Sequence, residues 1–495
     1  MFRFKNKNLA YSKRVNTEQH VGLACFMCLL LFLAQPSLAD ATVKLNNPVS
    51  ADYINVGDPL SRIFNAKQHG GHNQNWTSIQ SQNGFIYVGH TDGVSQWDGA
   101  TWTNLATPHL TPVRSISEWQ GDLYLGTTDE LLKLALNTAG QLAYQSLSET
   151  SEFADLAFGE IWGTAVNQSG VLFSATEHTF FYDGTSIRSI EQAVPSKHFV
   201  FSVNDDFYYK PRDQAHVYKI ETRSQNGRPE FVHTQLTGIL PNSARVMEIL
   251  SASDNILTLV TETHGIFQWQ NGEFIQIKAP QDFGQNVQLY DAILSQDNHY
   301  YISSTYHGLF ILDADWRLLR NYQDSDKIGM NSIFSVNEDK QGNIWLTGIP
   351  NVVRIRPPHV ISEFRAGTSS TEILSLKRTD IGTFASGNGV FKLQTSRSPF
   401  VTPSFVVMND NLNASVDLIQ HQGSLIKPGW GGIYELRLDA SGSKIDLENK
   451  IADVALGRVI ASTPNPQQFV VSSSDGAFLI SFENNDWRVQ PYNNA

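Results

Sequence analysis

Apolar and polar positions alternate most regularly over residues 332–355, and this stretch sets the pattern for most of the chain. Residues 332–338 alternate between two faces, residues 344–346 form a short apolar run, and residues 352–355 form another. Turns that contain Gly342 and Gly348 separate the three runs. Short runs of β-branched and aromatic residues between such turns are typical of antiparallel hairpins, so the stretch predicts three strands.

The same order of runs and turns occurs ten times along the chain. The predicted first strands begin near Trp76, Val113, Ile161, His198, Arg245, Val287, Ser332, Glu372, Ala414 and Gly457. Their mean spacing of about 42 residues is the length of one four-stranded propeller blade. No 3.6-residue periodicity is sustained, which excludes a helical solenoid. The sequence therefore predicts an all-β protein with β-propeller architecture.

Two lead-in segments divide the repeats. Residues 40–75 precede the first blade, and residues 358–374 repeat their plan of a proline, a short apolar strand and a polar loop. We therefore expect one seven-bladed ring over residues 76–357, since seven blades close without free sheet edges, and three blades of a second, incomplete ring over residues 358–495. Another chain could complete the three blades, the chain could be truncated, or the first ring could be larger. We favour truncation.

Residues 1–39 predict a secretory signal peptide. Basic side chains dominate the first 20 residues, and residues 21–34 are uncharged but too short to span a bilayer comfortably. Ser37 and Ala39 then form a small-x-small cleavage motif. We expect cleavage before Asp40, with Thr42 as the second choice, and an uncleaved anchor is the alternative. Either outcome predicts a periplasmic or secreted protein.

The predicted mature chain is acidic and free of cysteine. Cys25 and Cys28 both lie in the apolar part of the signal peptide, which rules out disulfides and cysteine-ligated metals in the remainder. Residues 1–39 also carry five basic side chains and one acidic one, so their removal takes the net charge from −12 to near −16. Such a surface repels nucleic acid and anionic membranes, and we predict no nucleic-acid partner.

Candidate ligand-binding residues follow from propeller geometry. The innermost strand of each blade lines the central channel, and the loops that enter these strands crowd one face, where ligands usually bind. The entering residues are Gln74, Asn75, Trp76, Arg114, Trp162, Arg245, Tyr290 and Asn331. Aromatic, amide and guanidinium groups around a wet channel suit a carbohydrate or a carboxylated small molecule. The alternative for the tryptophans and arginines in this set is a role in packing and scaffold.

Several blades place a polar residue before the glycine of the second turn. These residues are Asp92, His264, His307, Asn388 and Asp475. They could be interpreted as a ring of metal ligands, but we favour a turn role, because Asn, Asp and His tolerate the left-handed backbone of tight hairpins. His90 is interpreted as an exposed histidine. No nucleophile elbow, HExxH, P-loop or dinucleotide motif is present, and we predict no catalytic residue, metal or cofactor.

The seventh repeat resembles the two-component regulator propeller repeat. The residues that carry this resemblance are Ile333, Glu338, Asp339, Gly342, Asn343, Ile344, Trp345, Leu346 and Arg354. Residues 73–102 also look like the opening blade of periplasmic sensor regions in that family, through Gln74, Asn75, Trp76, Tyr87, Gly89, Trp97, Asp98, Gly99 and Trp102. The resemblance covers residues 60 to about 480 and is specific in blades 1 and 7 only.

The resemblance implies a ligand-sensing ectodomain. Full-length relatives usually have two seven-bladed propellers, an immunoglobulin-like three-tyrosine domain, a transmembrane helix and a histidine kinase or diguanylate cyclase output. This sequence shows none of the modules that follow the propellers, so we expect a sensor without its output, acting on a membrane-bound signalling partner. A secreted polysaccharide lyase or hydrolase remains an alternative, because propeller enzymes scatter their catalytic residues over several blades. A scaffold for protein partners is a third.

Overall fold

The computed structural model describes residues 56–492, apart from residues 150, 192, 194–195, 197, 226–227, 254–255, 324–327, 365–371, 397 and 409–415. The predicted signal peptide, its two cysteines and both candidate cleavage positions lie outside the described residues. Within the described part, no helix is both long and apolar enough to cross a membrane.

The described chain folds into ten four-stranded antiparallel sheets, called blades 1–10 here, in agreement with the ten predicted repeats. The strands of blades 1–3 are Asn75–Gln80, Ile86–His90, Gly93–Trp97 and Trp102–Ala106; Ser115–Trp119, Asp122–Gly126, Leu131–Leu136 and Leu142–Ser146; and Gly163–Asn167, Gly170–Ser174, Thr179–Tyr182 and Ile187–Ile190. Those of blades 4–6 are Val200–Val203, Asp206–Tyr209, Tyr218–Gln225 and Arg228–Gln235; Val246–Ser253, Ile256–Thr261, Gly265–Gln270 and Glu273–Lys278; and Leu289–Leu294, Tyr300–Ser304, Leu309–Leu312 and Leu318–Tyr322.

Blade 7 takes its strands from both ends of the ring and consists of Ser332–Glu338, Ile344–Ile349, Val352–Ile355 and Ser61–Phe64. The strands of blades 8–10 are Ile373–Thr379, Gly382–Gly387, Gly389–Gln394 and Ser404–Val407; Ile419–His421, Ser424–Gly429, Gly432–Leu438 and Ile445–Ala452; and Gly457–Ser462, Gln468–Ser473, Gly476–Glu483 and Asp486–Pro491. A two-stranded ribbon, Asp58–Pro59 with Ser362–Glu363, a helical turn at Ala66–His69 and a 3₁₀ turn at Pro280–Asp282 complete the elements.

Blades 1–7 form a closed ring around a central channel. The first strands of the seven sheets lie side by side in order, and the first strand of blade 7 lies against that of blade 1. Each apolar core lies between two consecutive blades; Tyr87 and Val94 of blade 1, for example, are buried against Leu123 and Leu125 of blade 2. Blades 8–10 follow one another as an arc. The predicted fold class, a seven-bladed propeller followed by three further blades, is confirmed.

The ring begins at Ser61 rather than at Trp76. Ser61–Phe64 pairs antiparallel with Val352–Ile355 as the outermost strand of blade 7, with Ile63 opposite Val353. From the sequence, this strand falls in the lead-in segment 40–75, because four residues are too few to show an alternation. This pairing also explains why residues 332–355 predict only three strands, because the fourth strand of blade 7 comes from the beginning of the propeller.

Phe64 anchors the closing strand in an aromatic cluster. Its ring lies 5.2 Å from that of Trp97 and 5.3 Å from that of Trp102, both in blade 1. It also stacks on Trp345 of blade 7, with the ring centroids 5.9 Å apart. Offset and edge-to-face aromatic pairs of this kind stabilise beyond the area they bury. The closing strand therefore ties blade 7 to blade 1 through side chains as well as through backbone hydrogen bonds.

At the junction between the first ring and blade 8, an arginine side chain of the ring binds backbone carbonyl groups. The buried guanidinium of Arg320, on the outermost strand of blade 6, donates to the carbonyl oxygens of Val401 at 2.6 Å, Ser398 at 3.4 Å and Val56 at 3.4 Å. The backbone amide of Asn321 donates a hydrogen bond to the carbonyl oxygen of Pro399 at 2.8 Å. Together with the ribbon, these bonds fix a loop of blade 8 on the side of blade 6.

Replacing Phe64 by alanine tests the closure of the ring. We expect Phe64→Ala to lower the free energy of unfolding by about 3–5 kcal/mol, because it leaves a cavity among three tryptophans. Tyr306→Ala is the matched control, since Tyr306 is 67% exposed and its loss should cost about 0.5 kcal/mol or less. Urea unfolding followed by tryptophan fluorescence measures both; equal effects of the two substitutions would contradict the role of Phe64.

Candidate functional site

One side chain from each of the first seven blades surrounds the entrance of the channel. These seven residues, which we call the aromatic–guanidinium belt, are Trp76, Arg114, Trp162, Phe199, Arg245, Tyr290 and Phe334. Each stands at or just before the beginning of the innermost strand of its blade. All seven are partly exposed, so their faces are accessible to a ligand in the channel mouth.

Stacking joins one side of the belt. Trp76 lies nearly parallel to Phe334, with the ring centroids 5.0 Å apart and an interplanar angle of 17°. The Arg114 guanidinium lies 3.8 Å from the centre of the Trp76 ring and 5.5 Å from that of Trp162. Cation–π contacts at such distances are favourable and hold the guanidinium flat against the indole.

Ring and guanidinium contacts also join the residues on the other side of the belt. Trp162 meets Phe199 edge to face at 6.4 Å, and the Arg245 guanidinium lies 4.8 Å from the Phe199 ring. Tyr290 contacts Phe334 at 5.2 Å. Burial raises the pKa of the Tyr290 hydroxyl, and the nearby charge of Arg245 partly offsets this rise. The belt is thus a continuous surface of π faces with two cationic positions.

Both arginines of the belt have acidic partners. Arg114 forms an ion pair with Glu160 at 2.8 Å, and Arg245 lies 3.5 Å from a carboxylate oxygen of Glu262. Each cation is therefore matched by an anion from the same face of the ring. The channel mouth offers hydrogen-bond donors without a large excess of positive charge.

Five of the eight predicted binding residues lie in the belt, and three do not. Gln74 accepts a hydrogen bond from the Thr91 hydroxyl at 3.3 Å. Asn75 is fully buried, and its side-chain nitrogen donates to Gly348 O at 3.1 Å, which ties blade 1 to blade 7. The backbone carbonyl of Asn331 accepts a hydrogen bond from the backbone amide of Gly308, which lies in the turn between the second and third strands of blade 6. The structure thus gives all three a contact with the surrounding scaffold.

Phe199 and Phe334 complete the belt but were missed in the sequence. A signal for both was present, because each lies within three residues of the start of a predicted first strand, as the other five belt residues do.

A second ring of polar side chains lies further along the same strands. This hydroxyl–carboxyl belt consists of Ser78, Ser117, Thr164, Ser202, Glu248, Asp291 and Ser335, again one residue from each blade. Several of its hydroxyl groups bridge neighbouring blades; Ser117 Oγ, for example, donates to Thr164 O at 3.0 Å. Five of the seven residues line a channel cavity of about 460 Å³.

Glu248 and Asp291 form a hydrogen-bonded acid pair in this belt. Asp291 also accepts the backbone amides of Val336 and Ala292, both at 2.8 Å. Burial raises the pKa of Asp291 to about 6, and burial together with the Asp291 charge raises the pKa of Glu248 well above its ordinary value. The pair therefore holds a proton at mildly acidic pH, since two adjacent carboxylates cannot both ionise easily.

The carboxylate bridge recurs in the three-blade arc. Asp417 of blade 9 accepts the Ser375 hydroxyl of blade 8 at 2.9 Å and the Ile460 amide of blade 10 at 3.3 Å. Asp291 makes the equivalent bond to a backbone amide of the following blade, at Val336, but its partner in the preceding blade is Glu248 rather than a hydroxyl group. A carboxylate at or near the innermost strand thus joins neighbouring blades in both parts of the chain.

A smaller pocket adjoins the belt at Phe199 and Arg245. Its volume is about 240 Å³, and its wall includes Lys210 and Asn242. The Lys210 ammonium donates to Asn242 O at 3.2 Å, and burial lowers its pKa to about 8. This pocket would allow a ligand on the belt to extend outward between blades 4 and 5.

The turn residues behave as scaffold, with two differences from expectation. At the second turns the glycines themselves take the positive φ, as at Gly265 (79°) and Gly308 (68°), so the preceding histidines do not need it. His90 is fully buried rather than exposed, and its Nε2 lies 3.1 Å from Asn104 Oδ1. Burial lowers the His90 pKa to about 4, so this side chain is neutral at physiological pH.

The fold is similar to solved extracellular propellers. The extracellular domain of the hybrid two-component system BT3049 from B. thetaiotaomicron matches with a TM-score of 0.58 and 13% identity, over 88% of this chain and 60% of that one. The extracellular domain of the one-component system BT4673 from the same organism matches with a TM-score of 0.47 and 15% identity, over 87% and 61%. The chain thus spans about 60% of the length of these two structures.

A streptogramin B lyase structure also matches, with a TM-score of 0.47 and 14% identity, over 60% of this chain and 98% of that one. No protein-family model and no curated protein matches the chain. At these identities the likeness is one of fold, and the fold it shows agrees with the resemblance of blades 1 and 7 to two-component regulator propellers.

The acid pair predicts a pH dependence of stability. A raised pKa means that the folded state binds protons more tightly than the unfolded state, so the pair favours folding at low pH and opposes it as the pH rises through about 6. The free energy of unfolding of the unmodified protein should therefore fall between pH 5 and pH 8. We expect this fall to be about 1–2 kcal/mol smaller in Glu248→Gln.

Urea unfolding at the two pH values measures this difference. Glu273→Gln is the matched control, because Glu273 is an exposed acid in the same blade and its removal should leave the pH dependence unchanged. An unchanged dependence in Glu248→Gln would show that the pair is fully ionised in the folded protein.

Proposed function

We propose that the chain is an extracytoplasmic ligand-sensing propeller of a two-component or cyclic-di-GMP signalling protein. The aromatic–guanidinium belt carries this proposal, because it places seven partly exposed side chains with stacking and donor groups around one channel mouth. Sites of this composition bind small molecules through apolar faces and a few convergent polar groups. The partner would be a membrane-bound signalling protein or another part of the same protein.

An oligosaccharide is the ligand that best matches the belt. Sugar rings present C–H faces that pack on indole and phenyl rings, and hydroxyl groups that accept from guanidinium donors. The pairing of Arg114 with Glu160 and of Arg245 with Glu262 favours a neutral ligand over a free carboxylate, which would have to displace these acids. The two carboxylates would also accept hydrogen bonds from sugar hydroxyls.

Signalling through such a ring requires only a shift in population. A ligand that binds one arrangement of the ring and its partner more tightly than another will favour that arrangement by its difference in affinity. The likeness in fold to the extracellular domain of the hybrid two-component system BT3049 supports this role and a location outside the cytoplasm. The output module would lie elsewhere in the signalling system.

A secreted lyase or hydrolase is a second candidate, and the Glu248–Asp291 pair is the observation that favours it. A carboxyl group with a raised pKa beside a carboxylate can serve as a general acid at near-neutral pH. Both acids line the channel cavity. In this case a polysaccharide would be cleaved rather than retained.

Ligand screening with the belt arginines replaced tests the proposal. A thermal-shift screen against oligosaccharides and organic acids should identify a ligand that raises the melting temperature and is recovered intact. We expect Arg114→Ala combined with Arg245→Ala to weaken its binding by at least about tenfold, through loss of two charged hydrogen-bonding groups. The melting temperature of the free variant should fall by no more than a few degrees.

Two variants make the result specific. Arg114→Lys keeps the charge but loses the planar stacking on Trp76, so it should bind more weakly than the unmodified protein. Arg223→Ala removes an exposed arginine far along the fourth blade and should bind normally. A ligand recovered in cleaved form would favour the enzyme, and loss of folding in the double variant would place both arginines in the scaffold.

A further inference from the structure

Asp297, His299 and His359 bring three potential metal ligands together outside the channel. Asp297 and His299 lie in the turn between the first two strands of blade 6, and His359 lies in the connection from blade 7 to blade 8. His359 Nε2 is 2.9 Å from one carboxylate oxygen of Asp297, and His299 Nδ1 is 3.3 Å from the other. All the candidate ligand atoms lie within 4.8 Å of one another.

We propose that these three side chains bind a divalent transition-metal ion, with Zn²⁺ as the best match. Zinc takes imidazole nitrogen and carboxylate oxygen at about 2.0–2.2 Å, so two ligand atoms on a tetrahedral ion are about 3.3 Å apart. The two histidine nitrogens lie 2.9 and 3.3 Å from different carboxylate oxygens of Asp297, and the imidazole rings lie 4.6 Å apart between centroids. His299 Nδ1 also lies 3.1 Å from the backbone oxygen of Asp297, and metal binding would replace this contact.

The surroundings suit a cation that keeps an open coordination position. The side chains of His299, His359 and Asp297 are 15%, 16% and 25% exposed, which shields the ligands without closing the site. Asp297 also lines a cleft of about 780 Å³, whose wall carries two further acids, Glu338 and Asp339, and two cations, Arg354 and Arg356.

The ligand types in the cluster distinguish between classes of metal. Two imidazoles and one carboxylate favour zinc and its neighbours over Ca²⁺ or Mg²⁺, which prefer oxygen ligands throughout.

The consequence of binding would be mechanical. His359 stands three residues before Ser362–Glu363, which pairs with Asp58–Pro59 in the ribbon between the ring and blade 8. An ion held by blade 6 and by this connection would fix the path of the chain where it leaves the ring. Metal occupancy would thus set how firmly the three-blade arc is held, independently of any ligand in the channel.

Metal titration of the purified chain tests the proposal. We expect one Zn²⁺ to bind per chain, Co²⁺ to compete with a visible d–d absorption, and Ca²⁺ and Mg²⁺ to compete poorly. His359→Ala and Asp297→Asn should each weaken Zn²⁺ binding by at least about 100-fold, since loss of even a supporting group commonly costs about 10- to 100-fold. Zn²⁺ should also slow proteolysis between blades 7 and 8 in the unmodified protein but not in these two variants.

His109→Ala is the matched control, because His109 is exposed and lies on a loop of blade 1. It should bind Zn²⁺ as the unmodified protein does. Melting curves without metal confirm that each variant folds; Asp297→Asn keeps the shape of the side chain and remains informative should His359→Ala unfold. Absence of saturable Zn²⁺ binding, or equal affinity in the control and the two site variants, would show a hydrogen-bonded histidine–aspartate–histidine cluster and overturn the proposal.

Discussion

The pairing of Ser61–Phe64 with Val352–Ile355 is the constraint on which the first propeller depends. Each apolar core is shared by two consecutive blades, so a blade without a neighbour leaves an apolar face in water. Only a closed ring gives every blade two neighbours, and closure here relies on one four-residue strand from the start of the fold. The aromatic cluster around Phe64 adds side-chain packing to the backbone pairing at this seam.

Closure also creates the two belts. The aromatic–guanidinium belt and the hydroxyl–carboxyl belt each take one residue from each of the seven blades, so only the closed ring brings their members together. Residues as distant in sequence as Trp76 and Phe334 stack because the ring returns to its starting point. The outer belt offers π faces with compensated charge, whereas the inner belt offers hydroxyl groups and an acid pair. The two belts therefore present different chemistry at successive positions along the channel.

The repeat period and the turn residues predicted the propeller blades, and the recurrence of a lead-in segment predicted the division into a seven-bladed ring and three further blades. Ser61–Phe64 was not recognised as a ring strand, because its partner lies almost 300 residues later and a four-residue strand has no usable periodicity. Five belt residues followed from their position before the first strands, but Asn75 has the same position and is a scaffold donor. The Asp297 cluster could not be predicted, since His359 reaches it only through the path of the connection between blades.

Arg320 binds backbone carbonyl groups rather than side chains. Its guanidinium holds the junction between the ring and blade 8 through the carbonyl oxygens of Val56, Ser398 and Val401, and a carbonyl is present whatever the side chain. The loop at residues 398–401 can consequently change in sequence during evolution while the angle of the junction stays the same. Substitutions would be tolerated at the residues whose carbonyl groups are bound, as long as the arginine that binds them is retained.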